Sequence, residues 1–246
     1  MKHKILEHLL ENKKLGKKSL AVLVDPDKSN RLDDLINVCE KSPPDIFLLG
    51  SSFRGDELIF QCVEKLRSIS QVPIVLFPGN MNQVVPNADA LLLLSVISSR
   101  NPELLIGKQV EAALRIRDSK LEVIPTGYLL IESGRLTTVQ YMSQSLPIPR
   151  AKPELAAATA LAGIQQGLDA IYLEAGSGAD ETVPELMISA VSKNTGCLLF
   201  TGGGIVSSEQ LDIVYRAGSD IAVVGNILES FPEMLHELIK VRDRYI

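Results

Sequence analysis

Eight short runs rich in valine, isoleucine and leucine recur along the chain, and segments of helical spacing separate most of them. The runs are Ser19 to Val24, Ile46 to Gly50, Pro73 to Phe77, Asp89 to Ser95, Leu121 to Ile124 (with Tyr128 to Glu132 as a continuation), Asp169 to Glu174, Cys197 to Thr201 and Asp220 to Gly225. They are continuously apolar rather than alternating, the pattern of parallel strands buried on both faces. Helical spacing marks Leu32 to Cys39 behind an Asn30 cap, Gly55 to Ser68, Pro102 to Ile116, Pro153 to Gln166 and Pro232 to Arg242. A further helix starts at Ser207, with Gln210 in a capping box. Eight strands with intervening helices predict an α/β chain folded as a (β/α)₈ TIM barrel, one domain over residues 1–246. A doubly wound open sheet would carry an early glycine-rich loop, and none follows Val24. The stretch Pro78 to Ala88 is too short and too bounded by prolines for a crossover helix. The third barrel helix is therefore expected to be missing or replaced by an extended segment.

Of the 246 residues, 46% are hydrophobic and 22% charged, enough for a sizeable core and too little charge for a disordered chain. The net charge of −5 speaks against a nucleic-acid partner. Lys2, Lys4, Lys13, Lys14, Lys17 and Lys18 gather in a first helical stretch. A solvated face is the plain reading, and a surface that meets anionic lipid, as in peripheral membrane contact, or diphosphate the functional one. Cys39, Cys62 and Cys197 lie far apart, as expected of reduced, buried thiols in a cytoplasmic protein. His3, His8 and His236 form no zinc motif. No signal peptide is visible, and no apolar run approaches the ~20 residues of a membrane span.

In such a barrel, chemistry belongs to the loops after the strands. Gly202-Gly203-Gly204 follows the seventh run and Gly225-Asn226 the eighth, where peptide N–H groups could receive a phosphate. Ser177-Gly178 after the sixth run could complete that cup. A branched side chain at Gly204 is expected to fill the phosphate's place. Asp25 ends the first run and Ser51 and Ser52 follow the second, a hard-oxygen set suited to Mg²⁺, with Asp27 a helix-cap candidate. Glu174 ends the sixth run with Tyr172 two positions earlier, on the same strand face. That pair suits recognition of sugar-like or glycerol hydroxyls. No Ser-His-Asp set is present, and Asp33-Asp34 lacks the partner acids of a DDxxD motif.

The heptad Tyr172-Leu173-Glu174-Ala175-Gly176-Ser177-Gly178, with Gly203-Gly204, Gly225-Asn226 and Asp25-Pro26-Asp27-Lys28, resembles the geranylgeranylglyceryl phosphate synthases and the related bacterial heptaprenylglyceryl phosphate synthases. The resemblance spans nearly the whole chain, including Pro147-Ile148-Pro149-Arg150 and Lys152-Pro153-Glu154. It implies a Mg²⁺-dependent TIM-barrel prenyltransferase. Such an enzyme joins a polyprenyl diphosphate, expected to be geranylgeranyl diphosphate, to the C3 hydroxyl of sn-glycerol 1-phosphate and releases diphosphate. Carried over, Tyr172 to Gly178, Gly203, Gly204, Gly225 and Asn226 hold glycerol phosphate, Glu174 and Tyr172 act in catalysis, and Asp25 and Ser51 hold the metal. Leu49 stands where a glycine is common in the family, which leaves Ser51 and Ser52 both open as ligands. The resemblance also implies a missing third helix and a homo-oligomer, a dimer or a hexamer of dimers, with Tyr141 at a subunit contact. Two other functions stay open. One is a phosphate-binding barrel isomerase or cyclase, for which only Asp25 and Glu174 could serve as the acid and base. The other is a non-catalytic prenyl-lipid binder.

Overall fold

A computed structural model describes residues 4–27, 32–50, 56–68, 70–80 and 83–245. Eight parallel strands close into a barrel in chain order. They are β1 (Ser19–Val24), β2 (Ile46–Leu49), β3 (Ile74–Leu76), β4 (Ala90–Ser95), β5 (Glu122–Leu130), β6 (Ala170–Glu174), β7 (Leu198–Gly202) and β8 (Ile221–Val224). Ser19 on β1 lies opposite Ile221 on β8, which completes the ring. The α-helices are α1 (Lys4–Lys14), α2 (Leu32–Lys41), α3 (Asp56–Arg67), α4 (Lys108–Ser119), α5 (Thr138–Ser143), α6 (Pro153–Gln165), α7 (Glu185–Thr195), α8 (Ser208–Ala217), α9 (Asn226–Ser230) and α10 (Met234–Arg242).

Strand alternation divides the core in two. Leu20, Val22, Leu49, Ile171, Leu173 and Leu199 pack outward against the helices. Ala21, Leu48, Val75, Leu92, Tyr172 and Phe200 face the lumen. Both faces are apolar, so the strands read as unbroken apolar runs. Near the carboxyl ends of the strands the lumen is filled by rings. Tyr172 lies between Phe77, at 5.0 Å, and Phe200, at 5.8 Å, with Tyr128 tilted beside it at 5.4 Å.

The other end is closed by α1, which keeps Lys4 and Lys14 exposed on one face and buries the other. Leu6 and Leu9 are buried and join the lumen cluster. The N–H groups of Ile5 and Leu6, unpaired within the helix, donate to the Glu122 carboxylate at 2.9 and 2.8 Å. Lys13 pairs with Asp220 at 2.6 Å, and the same carboxylate accepts the Leu199 N–H at 3.0 Å. Burial lowers the pKa of Lys18 beside them, against the pull of Asp220.

Other departures from the expected elements have local causes. β5 runs unbroken through Pro125 and Gly127, where the sequence suggests two pieces. Gly127 lies in tight quarters inside it: an added Cβ would lie 2.8 Å from the terminal methyl of Ile97 and 2.9 Å from that of Ile171, and both would have to shift. The helix expected from Pro102 opens as a π-helix over Glu103–Gly107 before α4 begins. No helix separates β3 from β4 among the described residues. There Val84 and Val85 are buried, and Arg115 donates to the Val84 carbonyl at 3.0 Å. Ser207 does cap α8, its Oγ accepting the Gln210 N–H, but Gln210 returns its bond to Val206 and not to Ser207. Asn30 lies outside the described residues. Cys39 and Cys62 are buried free thiols whose pKa burial pushes up to about 12, which leaves them inert as nucleophiles.

Candidate active site

A cavity of about 700 Å³ opens at the carboxyl ends of the strands. Most of the residues singled out in the sequence meet in its wall: Tyr172, Glu174, Gly176, Ser177 and Gly178 from β6 and its loop, Gly203 and Gly204 after β7, and Gly225 and Asn226 after β8. Leu173 and Ala175 do not. Strand alternation turns both side chains into the layer beneath the helices, so any contact they make with a ligand runs through their backbone.

Glu174 is buried, and one carboxylate oxygen accepts the Gly176 N–H. Burial pushes its pKa up to about 7, while the Gly176 N–H and the phenols of Tyr172 and Tyr128 pull it back. The same burial, followed by the charge of Glu174, holds both phenols well above the usual tyrosine range. The Tyr172 hydroxyl feels that charge yet has no hydrogen-bond partner at bonding geometry, although it is fully buried. An orphaned buried hydroxyl in a cavity wall calls for a polar ligand. Gly202 makes room for it, since a Cβ there would strike the Tyr172 phenol. Sequence reading missed Tyr128. It lies directly opposite Tyr172 in the β5–β6 register, and only strand pairing reveals that.

The glycine loops are shaped by two demands. Gly203 and Gly204 hold φ of +87° and +72°, and Gly176 and Gly178 +104° and +71°. Gly203 and Gly204 also lack room. A Cβ on Gly203 would lie 2.6 Å from the Gly176 nitrogen and 2.7 Å from Glu174 Oε1. One on Gly204 would lie 2.9 Å from the backbone of Glu181 and Thr182. Bulk at Gly204 therefore strikes the neighbouring loop as well as narrowing the cavity that this glycine lines. Ser177 Oγ donates to Asn226 Oδ1 at 3.0 Å and joins the loops of β6 and β8. Such walls let an anion's oxygens reach peptide N–H groups with no side chain in the way. Among the described lining residues the cationic one is Lys108, which pairs with Glu111 at 3.1 Å on α4.

Asp25 lines the cavity at the end of β1, and its Oδ1 accepts the Asp27 N–H at 3.0 Å. Ser51 and Ser52 lie outside the described residues. Gly50 before them is obligatory, because a Cβ would collide with the Phe77 carbonyl. No group of three or more His, Cys, Asp or Glu among the described residues could hold a metal. Of the three candidate ligands, Asp25 is the one that the described residues include. On the β4 side the cavity wall carries the apolar Leu94, Val96, Leu104, Val139 and Met142, with Lys108, Gln109 and Glu111 of α4 beside them.

Residues 13–242 match the PcrB family. A geranylgeranylglyceryl phosphate synthase of Chitinophaga pinensis is 43% identical over 97% of this chain and 95% of its own length. One from Pyrococcus furiosus is 40% identical over 89% of this chain and 88% of its own. Among solved structures, the (S)-3-O-geranylgeranylglyceryl phosphate synthase of Thermoplasma acidophilum, in complex with substrate sn-glycerol-1-phosphate, superposes with a TM-score of 0.89. It is 27% identical, over 97% of this chain and 98% of that one. With the match covering most of the barrel and identities near two in five along almost the whole chain, the protein belongs to the PcrB family of geranylgeranylglyceryl phosphate synthases.

Proposed function

We propose that the protein transfers a polyprenyl group, geranylgeranyl by preference, to the C3 hydroxyl of sn-glycerol 1-phosphate. The observation that carries this reading is one cavity with two characters. Glycine loops and the Tyr172–Glu174 pair form one side, and the apolar wall of Leu94, Val96 and Leu104 the other. The phosphate of the acceptor rests on the loops of Gly203-Gly204 and Gly225-Asn226, with Ser177 and Gly178 closing the cup. Tyr172 and Glu174 receive the glycerol hydroxyls, which gives the orphaned Tyr172 hydroxyl its partner. The prenyl tail lies along the apolar wall, which places its C1 carbon toward the acceptor. Bound Mg²⁺, held by Asp25 and by Ser51, would offset the charge that grows on the leaving diphosphate.

As the bond from C1 to the diphosphate oxygen breaks, its electron pair leaves with the diphosphate. The C3 hydroxyl oxygen then bonds to C1, and its proton passes to Glu174. A carboxylate with a pKa near 7 suits that transfer at neutral pH. Holding the two reactants in line is the larger part of the task.

The test is incubation of the purified protein with labelled sn-glycerol 1-phosphate, Mg²⁺ and a panel of polyprenyl diphosphates. Label that becomes butanol-extractable only when both substrates are present supports transfer. Binding without product supports a lipid carrier, and neither result would return the barrel to the isomerases.

A further inference from the structure

The Pro147–Arg150 stretch carries a charge that the transfer reaction leaves unused. Its position is set by β5. Ile148 bridges Ile131 in parallel, its N–H donating to the Leu130 carbonyl at 2.8 Å, and the Glu132 N–H donates to the Ile148 carbonyl at 3.0 Å. Arg150 then reaches the loop between β6 and α7. Its Nη1 donates to the carbonyls of Glu132, at 3.0 Å, and Thr182, at 2.8 Å. Its Nη2 pairs with the Glu181 carboxylate at 2.8 Å. The planar guanidinium thus ties the end of β5 to Glu181 and Thr182, a fork that a lysine could not reproduce.

Glu181 and Thr182 are the residues whose backbone lies 2.9 Å from the missing Cβ of Gly204. Gly204 lines the cavity. The charged lining side chains described are Asp25, Lys108, Glu111, Glu174 and Glu229, and the one cation among them is already paired on α4. Anion affinity at the glycine end therefore depends on where peptide groups point, and that depends on what stands behind them.

We infer that Arg150 is a positioning residue for the anion cup: by clamping Glu181 and Thr182 against Gly204, it fixes the peptide groups that receive the acceptor's phosphate without touching the phosphate itself. This rests on the reading that the cup takes glycerol phosphate.

The experiment is calorimetric titration of sn-glycerol 1-phosphate into the native protein and three variants, with steady-state kinetics on both substrates. Binding to the native protein tests the functional reading first, and its absence would sink that reading before any variant is considered. Given native binding, Arg150→Ala should weaken glycerol phosphate affinity about tenfold or more, the scale of lost charge-assisted hydrogen bonds. The KM for the prenyl diphosphate and kcat at saturation should stay at native values. Arg150→Lys keeps the charge but not the fork, and should fall between. Arg135→Ala, which removes the exposed 3.5 Å pair with Asp180, should change neither constant. Native affinity in Arg150→Ala, or an equal loss for both substrates, overturns the inference and leaves Arg150 a surface staple. If Arg150→Ala does not fold, Arg150→Lys decides in the same way: weakened acceptor binding supports the clamp and native binding refutes it.

Discussion

Glu174 is a carboxylate among rings, and its charge state is therefore a property of the whole lumen. Its pKa lies near 7 where an ordinary glutamate has 4.5, so between those values the folded chain keeps a proton that the unfolded chain has lost. Stability should fall as pH rises through that window and level off above it, by a total on the order of 3 kcal/mol. Glu174→Gln should accordingly be more stable than the native chain in alkaline buffer, with the gap closing in acid; urea melts across pH would show it. In kinetics, kcat/KM should fall on the acid side of neutrality as Glu174 protonates. Glu174→Gln should remove that limb and lower kcat by about 10²–10⁴-fold, and native rates in this variant would rule out the base role. Tyr172→Phe should be milder, about 0.5–1.5 kcal/mol in glycerol phosphate binding, the worth of one hydroxyl contact. The Tyr172–Glu174 pair was legible in the sequence because strand parity puts positions two apart on one face. Tyr128 was not, since its place beside them depends on the register of a different strand.

Among the elements, the glycine loops have the sharpest consequence. At Gly204 a positive φ and the Glu181–Thr182 backbone at 2.9 Å both oppose any side chain. Gly204→Ala should cost more than about 1 kcal/mol in stability and weaken acceptor binding together with it. A large rise in KM with an unchanged Tm would contradict that. Sequence alone located these loops, because glycine after a buried strand marks a turn. It could not say that the missing Cβ faces the backbone of another loop. The strands were equally visible, while α7 and the buried face of α1 were not. Met187, Ile188 and Val191 bury one face of α7, whose start has no side-chain cap, and the lysines of α1 hide the two leucines that matter. A chain lacking residues 1–17 would expose Leu6 and Leu9's partners in the lumen, and should melt well below the full chain in a thermal scan.

Metal binding and assembly are properties of the molecule as a whole. Asp25→Asn should lower kcat about tenfold or more across a Mg²⁺ titration while sparing glycerol phosphate binding, and full activity at every concentration would reduce Asp25 to a loop cap. Tyr141 is 71% exposed, and an oligomer that packs this ring should sediment as a smaller species in Tyr141→Ala. No helix among the described residues is long and apolar enough to cross a membrane. The aromatic floor and the α1 plug also govern traffic. With the lumen filled below by these rings and by α1 among the described residues, the proposed reaction would take in both substrates and release both products through the mouth above the strands. The ether lipid, carrying head and tail at once, blocks that mouth for either incoming molecule. Added product should therefore compete with the glycerol phosphate and with the prenyl diphosphate alike, and turnover should quicken when vesicles or detergent draw the finished lipid away.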